Sequence, residues 1–345
     1  MEKLGFEFEK EKENYSGDIA VLEREEAKEK TGKKIIALAE EYLSFNNNET
    51  RLERDLSDML EKVNLLEKTS ASSEFLKGQL CLELYDIYKN SDKKEKTVLA
   101  DDFLEQANES FLESVNGEDF EIAVKNKEGE KMIFASKSHA LAYLGDIMAK
   151  DFYENGNRAD WNKSLGYYKK SIEAEPDEGK KHELETIIVI RKMAHSLGNE
   201  NNLKVWKTPR RIDLRNRTAD FSLEYVGDKN KPINKYIDAT MRMRKEKDDK
   251  QKWSDTGVLR LDKKIADFLA EFDFDTLLEK AGKKEGLSED DKEMLRKINY
   301  CGVYVTEKLE KAMENEIKSS DKLNFRKALY LNPNKLAKFS QFASP

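Results

Sequence analysis

Apolar residues recur at intervals of three and four along most of this chain, the period of an amphipathic helix. Ile35, Ile36, Leu38, Ala39, Tyr42 and Leu43 form a first stripe, which stops at Asn46, Asn47 and Asn48. Leu52, Leu56, Met59, Leu60, Val63 and Leu66 form a second. Phe75, Leu76, Leu80, Leu84, Ile87 and Tyr88 form a third, and Leu99, Phe103, Leu104, Ala107, Phe111 and Leu112 a fourth. Near 120–134 the period changes. Phe120, Ile122 and Val124 alternate with polar residues, Lys127-Glu128-Gly129-Glu130 supplies a turn, and Met132 and Phe134 alternate again, which predicts a small β-hairpin.

Over residues 138–197 the helical period returns through Ala140, Leu141, Leu144, Ile147 and Met148, then Trp161, Leu165, Tyr168 and Ile172, then Leu184, Ile187, Ile188 and Met193. Short connections at Asn155-Gly156-Asn157 and Pro176-Asp177-Glu178-Gly179 predict antiparallel neighbours. Residues 201–257, punctuated by Pro209, Gly227, Asn230 and Pro232, read as an irregular charged joint with a short extended piece at 203–206 and a helix over 233–245. Leu259, Leu261, Ile265, Phe268, Leu269 and Phe272 resume the helical stripe, and Ser288 with Asp291 is a capping-box variant opening a further helix. The predicted organisation is a helical domain at 17–200 carrying the hairpin, the joint at 201–257, a C-terminal helical unit at 258–333 and a tail at 334–345. The predicted class is all-α, as an irregular helical bundle or an array of helical pairs.

Composition agrees with exposed helices: 38% of the 345 residues are charged, with only 16 Gly and 5 Pro. The net charge of −7 argues against a general duplex-binding protein and leaves room for a local basic face. Cys81 and Cys301 form no CxxC, so neither a zinc knuckle nor a disulfide framework is suggested. The first residues lack the apolar core of a signal peptide, and no window approaches a membrane span, so a reducing cytoplasm is the expected setting.

Tyr168, Ser171 and Pro176 have the spacing of the second helix of a tetratricopeptide repeat, and Leu144-Gly145 resembles the Leu-Gly pair of that family's first helix. Phe325, Ala328 and Pro333 repeat the spacing near the end. The segment departs from the family in the longer distance from Gly145 to Ser164, and no 34-residue period runs across residues 20–130. The resemblance implies a noncatalytic adaptor that binds a protein or peptide on an exposed concave face containing Tyr153, Asn157, Lys163 and Lys170.

Candidate chemistry is sparse. His139, His182 and His195 make no metal motif and read as ordinary surface or capping residues. Asp273 and Asp275, interleaved with Phe272 and Phe274, read as a turn, and no glycine-rich phosphate loop is present. The strongest positive signal is basic. Lys204, Lys207, Arg210, Arg211, Arg215 and Arg217 surround Trp206, and Arg242, Arg244 and Lys245 open a second run, which together suit RNA or DNA phosphates with Trp206 for base stacking. A nucleic-acid-associated accessory protein is therefore the alternative to the adaptor, and an enzyme assembled from distant residues the third reading. No cofactor is implied, and the apolar stripes serve a bundle within one chain as well as one between copies.

Overall fold

The computed structural model describes residues 29–46, 48–66, 69–125, 129, 131–196, 202–216, 220–226, 232–239, 257–272, 288–314 and 317. They belong to two compact units, Met1–Ser136 and Lys137–Pro345. The predicted 325–333 repeat match, the tail, and Asp273 and Asp275 lie outside the described residues.

The first unit contains α1 (29–44), α2 (Glu49–Asn64), α3 (Ala71–Lys89), α4 (Lys94–Asn116) and the hairpin β1 (Glu121–Lys125) and β2 (Lys131–Ser136). The predicted stripes are its helices, and short polar residues start two of them. The Asn48 side chain accepts from Arg51 N at 3.2 Å, and Ser70 and Ser73 form a reciprocal capping box. Helix α3 is buried on nearly every side, which explains its departure from a clean stripe. It buries Glu74, Gln79 and Glu83 as well as Phe75, Leu76 and Leu80, and Tyr42 OH donates to the Glu83 carboxylate. A methyl group at Gly78 would stand 2.9 Å from the Phe111 ring, so this glycine lets α3 and α4 approach closely. The hairpin forms where the alternation predicts it, and its Phe134 packs edge-on against Phe75 of α3 at 6.0 Å.

The second unit contains α5 (Lys137–Asn155), α6 (Arg158–Ala174), α7 (Glu178–Ser196), β3 (Leu203–Lys207), α8 (Arg210–Asn216), β4 (Phe221–Val226), β5 (Pro232–Ala239), β6 (Gly257–Leu259), α9 (Lys263–Glu271) and α10 (Glu289–Ala312). Between α5 and α6, Gly156 takes φ +70° and returns its N–H to Phe152 O, and Asn157 caps α6 by accepting from Ala159 N. The pair meets through small residues. Gly145 lies against Tyr168, where an added Cβ would come within 2.4 Å of the ring. Ser164 Oγ donates to Gly145 O at 2.6 Å, and Ser138 and Ser171 each donate to the other's carbonyl. The spacing of Gly145, Ser164, Tyr168 and Ser171 thus answers to one helix–helix contact. The Ser288–Asp291 capping box forms as the sequence predicts.

The chain is mostly helical, and the principal correction concerns 201–257. In place of an irregular joint, these residues, with Val258 and Leu259, supply a four-stranded sheet in the order β3-β4-β5-β6. Strands β3, β4 and β5 make an antiparallel meander, and β6 runs parallel to β5. The helix expected over 233–245 begins as a strand, Pro232–Ala239. Alternation explains β3 and β4: Leu203, Val205 and Lys207, then Phe221, Leu223 and Tyr225, are buried at every second position. The sheet shares one apolar core with α7, α9 and α10, through Leu184, Ile188, Val205, Leu223, Ile237, Leu269 and Val305. Residues on both sides of the expected boundaries at 200 and 258 therefore fold as one body.

Candidate functional site

Strand β3 lies at an edge of the sheet, and helices α5, α6 and α7 meet its free side through buried polar groups. Arg191 of α7 donates to Val205 O from Nε at 3.0 Å and from Nη2 at 2.7 Å, and Asp146 of α5 accepts from Lys207 N at 2.8 Å. One carbonyl and one N–H of the edge are thereby paired, as a neighbouring strand would pair them. The two side chains also form an ion pair with each other. Tyr168 OH donates to Asp146 at 2.6 Å, and Arg191 Nη1 reaches Ser164 Oγ at 3.2 Å. Burial pushes the Asp146 carboxyl upward, and Arg191, Tyr168 and the Lys207 N–H act against it. One residue further on, Tyr143 OH donates to Thr208 O at 2.6 Å.

The register brings the end of β3, the start of β4 and the end of β5 together, because Lys207 pairs with Phe221 and Phe221 with Ile237. Asp220 and Asp238 flank those positions on neighbouring strands. Asp220 accepts from Ala239 N at 2.7 Å, and Lys207 Nζ donates to Asp220 O at 3.1 Å. The same ammonium stands 3.6 Å from Glu183 of α7 and 3.7 Å from Asp213 of α8, which also pairs with Arg210. Lys207 is 4% exposed, and the cluster opens toward solvent through Glu183 and Asp213, at 19% and 13%.

Four carboxyls thus gather about Lys207 and Arg210 in a low-dielectric setting. Burial, and next the neighbouring Asp238, push Asp220 well above the usual carboxylate range. Burial, and next Asp220, do the same to Glu183. Burial works against the charge of Lys207, but Asp213, Glu183 and Asp220 outweigh it and hold the ammonium above its ordinary value. His139 is driven well below its ordinary value by burial and by Arg210, Lys180 and Lys207, which makes it a neutral neighbour. These groups occupy the carboxyl ends of the parallel strands β3, β5 and β6, where open sheets commonly bind ligands.

The predicted basic face is only partly a face. Lys207, Arg210 and Arg211 are buried; Glu183, far away in sequence, and Asp213 hold Lys207 inside, and Asp213 pairs with Arg210 one turn away. Lys204 is half-buried, 3.9 Å from Glu224 and 5.4 Å from the Tyr153 ring centre. Trp206 donates to Glu224 at 3.2 Å and carries Lys150 at 4.5 Å and Arg191 at 5.5 Å from its ring centre, so its ring is already in use. The Arg215 side chain and Arg217, Arg242, Arg244 and Lys245 lie outside the described residues.

The four residues expected to line an adaptor surface have local roles. Tyr153 packs edge-on against Trp206, Asn157 caps α6, Lys163 pairs with Asp160 at 3.3 Å, and Lys170 lies near the Tyr167 ring. The histidines expected at the surface include two buried ones, His139 and His182, and both ring nitrogens of His182 lack a hydrogen-bond partner. Burial pushes the Cys81 thiol up to about 12, so it is no nucleophile at neutral pH. Sequence reading passed over Glu183, Asp213, Asp220 and Asp238; Asp220 and Asp238, each beside a strand's buried apolar run, were the available signal.

Among the described residues, no group of three or more His, Cys, Asp and Glu side chains is arranged to cage a metal ion, and no helix is long and apolar enough to cross a membrane. Compared with family models, curated proteins and solved structures, the chain matches none.

Proposed function

We propose that the second unit hydrolyses phosphodiester bonds in nucleic acid at the Asp220–Asp238–Lys207 end of its sheet. The observation that carries this reading is the placement of Lys207 between Glu183 and Asp213, with Asp220 and Asp238 on the two adjoining strands, at the carboxyl ends of the parallel strands. The pair of aspartates suits a hard divalent cation such as Mg2+, which is commonly held by one or two carboxylates together with substrate phosphates. Such an ion would take the place of the proton that two neighbouring carboxyls otherwise share. In this reading Lys207 offsets charge developing on the phosphate, and Glu183 orients the attacking water. Water adds to phosphorus as one P–O bond breaks, and its proton leaves with the departing alkoxide. Nucleic acid is favoured as substrate because the chain passes from Asp238 directly into Arg242, Arg244, Lys245, Lys247, Lys250 and Lys252. The adaptor reading stands on Asn157, Lys163 and Lys170, which are exposed on one helix without a groove among the described residues to join them to a partner of stated chemistry.

The test is to incubate the full chain with linear and circular DNA and with RNA, with and without Mg2+ or Mn2+. Cation-dependent cleavage is expected, and Asp238→Asn should lower it by about a hundredfold or more, on the order of 3 kcal/mol in the barrier, while the circular dichroism stays unchanged. No cleavage of any substrate with either ion would remove this reading.

A further inference from the structure

We infer that Asp146 and Arg191 are a positioning pair that sets the place of Lys207 without touching substrate. The catalytic part of this rests on the phosphodiester reading above; the geometric part does not. As an edge strand, β3 has a sheet neighbour on one side only among the described residues. On the other side its backbone is held at three points next to the lysine. Val205 O accepts from Arg191, Lys207 N donates to Asp146, and Thr208 O accepts from Tyr143.

All three holding side chains are buried, and they come from the rigid helices α5 and α7. Tyr168, stacked 4.8 Å from the Arg191 guanidinium carbon and bonded to Asp146, fixes the clamp from α6. The Lys207 Cα therefore has little freedom, and its ammonium is delivered among Glu183, Asp213 and the Asp220 carbonyl from a fixed root. Placement on this scale matters, since a shift of ~1 Å in a reacting group costs about a hundredfold in rate.

Asp146→Asn is the informative variant because it preserves shape. Asp146 accepts on both oxygens, from Tyr168 and Arg191 on one and from Lys207 N on the other. An amide has one acceptor oxygen, so the substitution turns an NH2 toward a donor. Two quantities are read on the full chain. The first is kcat and KM for the cleavage found above. The second is the rate at which an amine-acylating reagent labels Lys207, followed by mass spectrometry and referenced to the exposed Lys163.

The variant should lose about tenfold to a hundredfold in kcat with KM within about twofold. Lys207 labelling should rise at least about tenfold as the ammonium leaves its carboxylates. Unchanged kcat in a cleaving protein would overturn the inference. If the native chain cleaves nothing, the phosphodiester reading falls by itself, and the labelling then decides: a rise upholds the clamp and an unchanged rate overturns it. Should Asp146→Asn fail to fold, Tyr143→Phe removes the hydroxyl that donates to Thr208 O. It should move both readouts the same way by about threefold, and no movement in either would overturn the inference.

Discussion

Two buried groups of charged side chains share the backbone of Lys207, and they are built on opposite terms. Around Asp146 one carboxylate meets one guanidinium, and the donors of Arg191 and the acceptors of Asp146 are taken up by Tyr168, Ser164, Val205 and Lys207. Around the Lys207 ammonium, Glu183, Asp213, Asp220 and Asp238 crowd together, with Arg210 paired to Asp213. The first group is balanced, so its polar atoms hold elements together. In the second, burial and neighbouring carboxyls push Asp220 and Glu183 upward, a state that costs free energy in the folded chain and that a bound cation would relieve. A cost of this kind belongs with function more readily than with stability.

The contrast breaks most sharply at Arg191. Arg191→Met leaves Asp146 buried without its countercharge and frees the edge of β3, so the chain should lose about 3–5 kcal/mol of stability by urea denaturation. A loss under about 1 kcal/mol would mean that the balanced group holds nothing.

At Asp220 the opposite sign is expected. Its carboxyl is held well above the usual range by burial and by Asp238, so the folded state binds a proton that the unfolded state releases above its ordinary pKa. That stabilising contribution is complete below about pH 3.9 and is lost as the pH rises through the raised folded value. Asp220→Asn should therefore flatten this decline and gain about 1 kcal/mol at neutral pH, read from the pH dependence of the denaturation midpoint. A parallel pH curve for native and variant chains would contradict it.

The smallest effect is reserved for a charge outside both groups. Lys163 pairs with Asp160 at 3.3 Å, and its side chain is 60% exposed. Lys163→Ala should stay within about 0.5 kcal/mol. A larger loss would show that surface pairs in this chain carry more than their usual weight.

How much of this was legible differs from element to element. The stripe of Leu52, Leu56, Met59 and Val63 marked α2, and every one of those residues is buried. The alternation of Ile122 and Val124 marked β1 for the same reason. Strands β3 and β4 followed the same rule, but as runs of five and six residues among charges they resembled a joint. Lys207 looked like part of a basic face because its neutralising partners lie on other elements, Glu183 on α7 and Asp213 on α8.

By itself the sequence determined where α2 to α6 form and stop, since the helical period, the asparagine and serine caps and the glycine turn act over a few residues. It also determined the hairpin and the close approach of α5 to α6 at Gly145. Only the tertiary structure decided which strands adjoin, and therefore that Asp220 and Asp238 stand side by side and that Asp146 and Arg191 close an edge. Strand register joins residues far apart in the chain, and burial then changes what each charge does. Neither effect is written in the local pattern.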